Sequence, residues 1–508
     1  MSTSPSPDDV LQLIGAGRLE EAEQICLHAQ KETGNAEYIY LRGIVHAQQQ
    51  NFTEAIKLCE EASQQLPDRA DIAYNFGVIC YSANDLKRAV TAWQHTVEID
   101  KTHDDANFNL ALGLDQLGQE KEAQKTYEML LTVNPKHELA LYNLANLKTR
   151  LNESEKALPL YNRLLALKPD FEAGWINYGM AAQRAGTLKE AEDHFKKAIA
   201  LNPQSVDAHW NLSHLLLIQG HWQEGFAEYE WRLQRAEAPK PEWPQPVWDG
   251  SKIKNQHLLL WVDQGVGDAI QFLRYVQFAA ERVKSITLRC QQSLVQLAET
   301  VPGIDQVIAM DDPLPTFDIH APLMSLAHIL GNTDPAGSWH GEYLSPPQEF
   351  TLEMPKHVRH IGLVWAGNPA HRNDSNRSCP LEVLQPLLDV PDTAFYSLQV
   401  GSGPTGLSST PGFENVTDLA PRLDDFADTA AAIEALDLVI SVDTAVAHLA
   451  GALGKPAWVF IPAIDTDWRW QLEGTVTDWY PSLHLFRQQT PGDWTHTVAD
   501  MAAALAKS

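Results

Sequence analysis

The sequence predicts a helical solenoid followed by a parallel α/β region, and two observations carry that prediction. Small residues recur every 34 positions through the first half: Gly43, Gly77, Ala111, Ala145, Gly179 and Ser213, and in a second series Ala55, Ala89, Ala123, Ala157, Ala191 and Gly225. Beyond residue 250 the period stops, and short apolar runs alternate with helical stretches.

The frame is that of tetratricopeptide (TPR) repeats, each a pair of antiparallel helices packed closely where the small residues meet. Pro67, Pro135, Pro169 and Pro203 mark the turns, with Lys101 in the gap. Six copies fill 36–239, and a degenerate capping repeat, "GRLEEAEQICLHAQ", stands within 1–35. Stacked repeats form a superhelix with a concave groove. The stretch "AEAPKPEWPQPVWDG" (236–250) carries four prolines and ends the helical pattern, leaving 240–250 as a Pro-rich linker.

The apolar runs "HLLLWV" (257–262), "SITLRC" (285–290), "QVIAM" (306–310), "HIGLVWAG" (360–367), "AFYSLQV" (394–400), "DLVISV" (437–442) and "AWVFI" (457–461) read as parallel strands. They group into two Rossmann-like lobes, 251–350 and 357–508, with "SPPQEFTLEMP" (345–355) as the hinge.

A formal net charge of -28 sets nucleic acid and anionic membranes aside as partners. The five cysteines lack CxxC spacing and read as reduced, mostly buried thiols. The first residues lack the basic and apolar parts of a signal peptide. The most apolar later stretch, 436–461, is broken by Asp437, Asp443, His448 and Lys455, so no membrane insertion is expected. A cytoplasmic protein is the expectation.

Three loops offer chemistry. In "SVDTAVAHLAGALGKP" (441–456) a strand breaks into a helix. The open helix start presents unpaired N–H groups, and the small Thr444 and Ala445 let a phosphate approach. Asp443 as a plain helix cap accounts for the same residues equally well. In "WVDQGVGDAIQF" (261–272), Gly265 and Gly267 let the backbone pass close to a ligand, although neither a Walker nor a full GxGxxG pattern is present. Asp268 there either caps its helix or, facing a cleft between lobes, serves as a general base. In "VWAGNPAHRNDSNRSCP" (364–380), Arg372 and Arg377 follow a strand end and suit phosphate. The Asp-x-Asp of "IDTDWRW" (464–470) reads as lying after the last strand, without other nearby ligands, so no metal is expected, and Trp468 and Trp470 are expected to pack the lobes. No zinc-type histidine spacing and no GxSxG elbow occur.

Together "DQGVGDAIQFLRY", "WAGNPAHRNDSNRS", "DLAPRLDDFADTAAAIEALDLVISVDTAVAHLAGALGKP" and "DWRWQLEG" resemble the bacterial TPR-linked glycosyltransferases, relatives of lipopolysaccharide heptosyltransferases and, more distantly, of O-GlcNAc transferase. Some proteins of this architecture are associated with flagellin glycosylation. The resemblance covers nearly the whole chain. It implies a GT-B pair of Rossmann-like lobes and a metal-independent, inverting transfer from a nucleotide sugar held mainly by the second lobe. By position it implies Asp268 as base, with Asp263 as a second carboxylate because related proteins often carry Glu-Gln-Gly where this chain has Asp263-Gln264-Gly265. It implies Gly367 and Asn368 at the donor phosphates, Arg377 at the leaving diphosphate and Gln399 at the nucleoside. Asp443, Thr444, Ala445 and Val446 match the phosphate- and sugar-binding helix start, and His448 follows in the motif.

One further position keeps the repeat frame: Asn75, Asn109, Asn143, Asn177 and Asn211. First helices line the concave face of such stacks, so these amides form a ladder suited to the backbone of an extended acceptor peptide. O-GlcNAc transferase carries a comparable ladder. The structural alternative is that each Asn bonds the neighbouring repeat. The expected function is transfer of a sugar to Ser or Thr of a protein held by the repeats. The alternatives are transfer to a saccharide or lipid-linked acceptor, and a non-catalytic adaptor. Uridine, adenosine, guanosine and cytidine donors all fit.

Overall fold

The computed structural model describes residues 5–507 except 353, 372, 402–406 and 408–409. Arg372 lies outside the described residues. The chain divides into two compact units, Met1–Leu201 and Asn202–Ser508.

The first unit is all helix. A capping pair, Pro7–Gly15 and Leu19–Thr33, is followed by five helix pairs, from Glu37–Gln48 with Phe52–Gln65 to Glu172–Arg184 with Leu188–Leu201. Sixteen positions after the small residue of each first helix, the second helix carries a buried residue: Cys59 in the first pair and the large Trp93, Tyr127, Tyr161 and Phe195 in the others. A Cβ on Gly179 would stand 2.5 Å from the Phe195 ring, so the glycine is what lets the helices close.

The asparagine ladder is bonded into the stack. Asn75, Asn109 and Asn177 donate to the hydroxyls of Tyr40, Tyr74 and Tyr142, at 2.7, 3.2 and 2.9 Å. Each tyrosine lies one repeat plus one residue earlier. Phe108 occupies that place for Asn143, which turns instead to Tyr127 at 3.3 Å. Asn211 donates to the Asp207 carbonyl of its own helix at 2.7 Å.

The second unit opens with the sixth pair, Val206–Ile218 and Trp222–Tyr229. The boundary between compact units therefore falls one repeat before the sequence-predicted end of the solenoid at 239. The reason is apolar burial. Leu217, Phe226 and Tyr229 belong to the same core as the two sheets, where Phe226 meets Phe272, Trp468 and Trp479 edge-on. A buried ion pair adds to this. Arg232, 0% exposed, donates to Asp263 at 2.7 Å, to Glu230 at 2.7 Å and to Ser325 at 2.7 Å.

Both sheets are wholly parallel. The first has order β3-β2-β1-β4, from β1 Ile253–Trp261, β2 Val283–Cys290, β3 Gln306–Ala309 and β4 Ile319–Pro322. The second has order β10-β9-β8-β5-β6-β7, from β5 Arg359–Val364, β6 Thr393–Ser397, β7 Thr417–Asp418, β8 Leu438–Val442, β9 Ala457–Ile461 and β10 Leu483–Arg487. The sequence reading omitted β4, β7 and β10. β4 contains His320 and ends in Pro322, and β7 has two residues, so neither shows an apolar run. The runs 360–367 and 394–400 overshoot their strands because Trp365, Ala366 and Gln399 leave the ladder for bonds to one another. All five cysteines are free and buried, and burial pushes the Cys59, Cys80, Cys290 and Cys379 thiols up to about 12.

Candidate active site

Open parallel sheets bind ligands where neighbouring strands depart in opposite directions. In the second sheet that point is β5 beside β8: β5 leads outward to β6, and β8 to β9. The loop after β5 and the turn after β8 meet there. Arg377 Nη1 donates to the Asp443 carbonyl at 2.8 Å, and its Nε donates to Asp374 at 3.2 Å. The guanidinium lies over Gly367, where a Cβ would come 2.5 Å from Nη2, so a side chain at that position would displace the arginine. Gly367 N–H is held by Ser378 Oγ at 3.0 Å. Asn368 is exposed, and its side chain accepts from Ala370 N–H at 3.0 Å, which forms the turn. Gln399 Oε1 accepts from the amides of Trp365 and Ala366, at 3.2 and 3.0 Å, so this end of the side chain shapes the loop.

Thr444 is the N-cap of helix Ala445–Ala452, and its hydroxyl lies 3.2 Å from Ser441 Oγ. No side chain caps this helix, so its first N–H groups keep their capacity to bind an anion. Ala445 and Val446 are half-buried. His448 sits one turn on, buried, with Nδ1 3.1 Å from Tyr480 Oη and its ring stacked on Trp470 at 5.2 Å. Burial, with Arg469 nearby, pushes its pKa down to about 3, so the ring is neutral.

The first lobe presents a second helix start. Helix Val266–Phe272 follows Gly265, and Asp268 Oδ2 accepts from Gly265 N–H at 3.1 Å. A Cβ on Gly267 would lie 3.0 Å from His448 Cδ2 and 3.4 Å from Ala445 Cα. Gly267 thus lets the two helix starts approach. Asp263 is absent from this face. Its side chain is 0% exposed and tied to Arg232, so it joins the last repeat to the first sheet.

The turn after β9 supplies what the sequence reading did not assign. Arg469, only 4% exposed, donates through Nη1 to both Asp467 oxygens at 3.0 Å, through Nη2 to Asp268 Oδ1, and through Nε to Gln271 Oε1. Its guanidinium lies 4.1 Å above the Trp468 ring. Burial opposes ionisation of Asp467, but Arg469 outweighs it and holds the carboxyl below its ordinary value. Burial, then the Asp467 charge, pushes Asp443 up to about 6, with Arg377 opposing. The signal in the sequence is Asp467 with Arg469 two residues on, in the loop that follows the carboxyl end of β9. Trp468 and Trp470 do pack, against Phe226 and His448 respectively.

Asp268, Asp467 and Arg469 therefore form one ion-pair group beside the two apposed helix starts, where Arg377 bonds the Asp443 carbonyl. The second lobe supplies a cation and open amides here, and the first lobe a carboxylate. Such a site can hold an anionic leaving group and orient a hydroxyl toward it.

The family model for glycosyltransferase family 9 (heptosyltransferase) matches residues 408–458, which include β8 and the helix start after it. Tetratricopeptide models match 46–106, 108–170 and 177–239. The chain thus carries tetratricopeptide repeats ahead of a stretch that matches glycosyltransferase family 9. It is 26% identical to Protein FlbA of Caulobacter vibrioides over 327 residues, 57% of this chain and 53% of that protein, so it spans about half the length of that relative. Among solved structures it is similar to the C-terminal part of a TPR repeat-containing protein from Cytophaga hutchinsonii (16% identity, TM-score 0.40, 46% of this chain and 97% of that one). It is also similar to YrrB, a TPR protein with an unusual peptide-binding site (20% identity, TM-score 0.32, 35% and 91%).

Proposed function

We propose that the protein is a glycosyltransferase that moves a sugar from a nucleotide sugar to Ser or Thr of a protein acceptor, flagellin being the acceptor class its resemblance suggests. The observation that carries this reading is the bond of Arg377 to an uncapped helix start that abuts the helix start carrying Asp268, in a chain whose first unit is a peptide-binding type of repeat. The diphosphate lies at the amides of Ala445 and Val446 and at Arg377, which stabilise charge as it grows on the leaving group. Asp268 activates the acceptor hydroxyl from the first lobe. The charge on the leaving group is then balanced by Arg377 and the helix-start amides, and the transfer is inverting and needs no metal.

Asp268→Asn is expected to keep nucleotide affinity but lose transfer by about 10²–10⁴-fold, since the amide cannot serve as a base. Calorimetry and initial rates on the same preparation check this. Wild-type rates in the variant would remove Asp268 from the mechanism. A saccharide or lipid-linked acceptor is the second reading, favoured by the heptosyltransferase description of the matching family. Side-by-side assays with flagellin and with lipopolysaccharide core saccharides separate the two.

A further inference from the structure

We infer that Arg274 is a positioning residue for the transfer: a caged cation on the first lobe that grips the second lobe beside helix Ala445–Ala452 and so fixes where Asp268 stands against the donor. This rests on the glycosyltransferase reading, in which Asp268 is the base and the donor lies on the second lobe.

Arg274 lies in the turn Leu273–Tyr275 that continues helix Val266–Phe272, and it is 1% exposed. A buried guanidinium is costly unless its charge is met. Among the described residues no carboxylate pairs with it. Its Nη1 donates to the Trp479 carbonyl at 3.0 Å, its Nε to the Gln271 carbonyl at 3.0 Å and its Nη2 to Tyr343 Oη at 3.5 Å. The rings of Tyr480, Trp479, Tyr343 and Trp339 face it at 4.8, 5.2, 5.4 and 5.5 Å, so aromatic faces meet the charge in place of an anion. Two walls of this cage are seated on helix Ala445–Ala452. Tyr480 Oη lies 3.1 Å from His448 Nδ1, and a Cβ on Gly451 would stand 2.5 Å from the Tyr480 ring. Tyr343 N–H donates to the Ala452 carbonyl at 3.3 Å.

The grip is reciprocal. Arg469 reaches from the second lobe to Asp268 and to Gln271 Oε1, while Arg274 reaches from the first lobe to the Trp479 carbonyl. Gln271 is held by both, through its side chain by Arg469 and through its carbonyl by Arg274. Asp268 lies one turn before Gln271, so the segment that carries it is tied to the second lobe on either side. A well-packed apolar side chain commonly replaces a buried cation without loss of stability. What the cation adds is direction, since its bond to the Trp479 carbonyl admits one placement of the lobes. A reacting group displaced by about 1 Å loses rate by about 10²-fold. Arg377 and the amides after Thr444 both belong to the second lobe, so donor binding does not depend on that placement.

The test uses the full chain, with flagellin as acceptor and a panel of UDP-, ADP-, GDP- and CMP-sugars. Arg274→Met fills the cage without charge, and Arg274→Lys returns the charge with a single nitrogen. Arg274→Met is expected to keep Tm within about 5 °C of wild type. Its donor affinity by calorimetry is expected to stay within about threefold while kcat falls by about 10²-fold, and Arg274→Lys is expected to regain about tenfold of that loss. Hydrogen exchange at 266–272 and 445–452 is expected to quicken in Arg274→Met at its unchanged Tm. A kcat for Arg274→Met within about threefold of wild type, a kcat lost only in proportion to donor affinity, or no gain from Arg274→Lys overturns the inference and leaves the transferase reading standing. If Arg274→Met unfolds early, Arg274→Lys decides alone: kcat about tenfold below wild type at wild-type donor affinity supports the inference, and wild-type kcat overturns it. Wild-type protein that binds no donor and transfers no sugar overturns both.

Discussion

Arg377, from the loop after β5, reaches the helix start that follows β8, and Arg469, from the turn after β9, reaches Asp268 at the helix start of the first lobe. Their surroundings differ. Arg377 spends one nitrogen on a backbone carbonyl and one on Asp374, and is positioned for an incoming anion. Arg469 is saturated by Asp467, Asp268 and Gln271. Arg377→Ala is expected to weaken nucleotide-sugar binding by roughly 1.5–3 kcal/mol, the range for a charge-assisted contact, as calorimetry would show. Asp443 adds a pH dependence. Its carboxyl is pushed up to about 6, so it is charged at pH 7.5 and protonated below 6. Protonation removes a negative charge beside the diphosphate site, so donor affinity is expected to rise as pH falls from 7.5 to 5.5. The diphosphate of a nucleotide sugar has no titration of its own in that window. Asp443→Asn is expected to bind with the tighter affinity throughout and to flatten the profile. A wild-type affinity that does not change over this range would remove Asp443 from the donor's surroundings.

At the scale of elements, the asparagine ladder has two roles to separate. Its N–H groups hold Tyr40, Tyr74 and Tyr142, which ties first helices together, and Tyr127 on a second helix. Each amide oxygen can still accept from a peptide N–H. Asn143→Ala with Asn177→Ala removes bonds to Tyr127, Tyr142 and Asn146, at about 1 kcal/mol each, so a lower Tm is expected. Tyr142→Phe removes the partner of Asn177 and keeps the amide. If the ladder binds acceptor, the double variant loses transfer to protein while Tyr142→Phe and small-acceptor transfer stay near wild type. Equal rates in all three, at equal folded fraction, would make the ladder scaffolding alone. The repeats were legible because packing imposes a residue type at a fixed period: Gly77 must be small where Trp93 is large. The strand-to-helix breaks at Asp268 and Asp443 were legible for a similar local reason. Arg469 was not, because its partners Asp268 and Gln271 lie about 200 residues away, and only the fold brings them together.

At the scale of the molecule, the sixth repeat shares one core with both sheets, and its helix Val206–Ile218 borders the Trp468–Trp470 turn. The sixth repeat therefore belongs by packing to the α/β unit. Truncation before residue 240 would expose Phe226's partners Phe272, Trp468 and Trp479 and strip Asp263 of Arg232. A chain starting at 240 is expected to be poorly soluble, where one starting at 202 folds; expression and thermal unfolding of the two fragments check this. The most direct test of the central claim is the intact mass of flagellin after incubation with the full chain and each nucleotide sugar. The account predicts an increase by whole sugar residues with one donor class, abolished by Asp268→Asn and removed by mild base that cleaves Ser and Thr linkages. An unchanged flagellin mass with every donor, alongside transfer to lipopolysaccharide core saccharides, would contradict it.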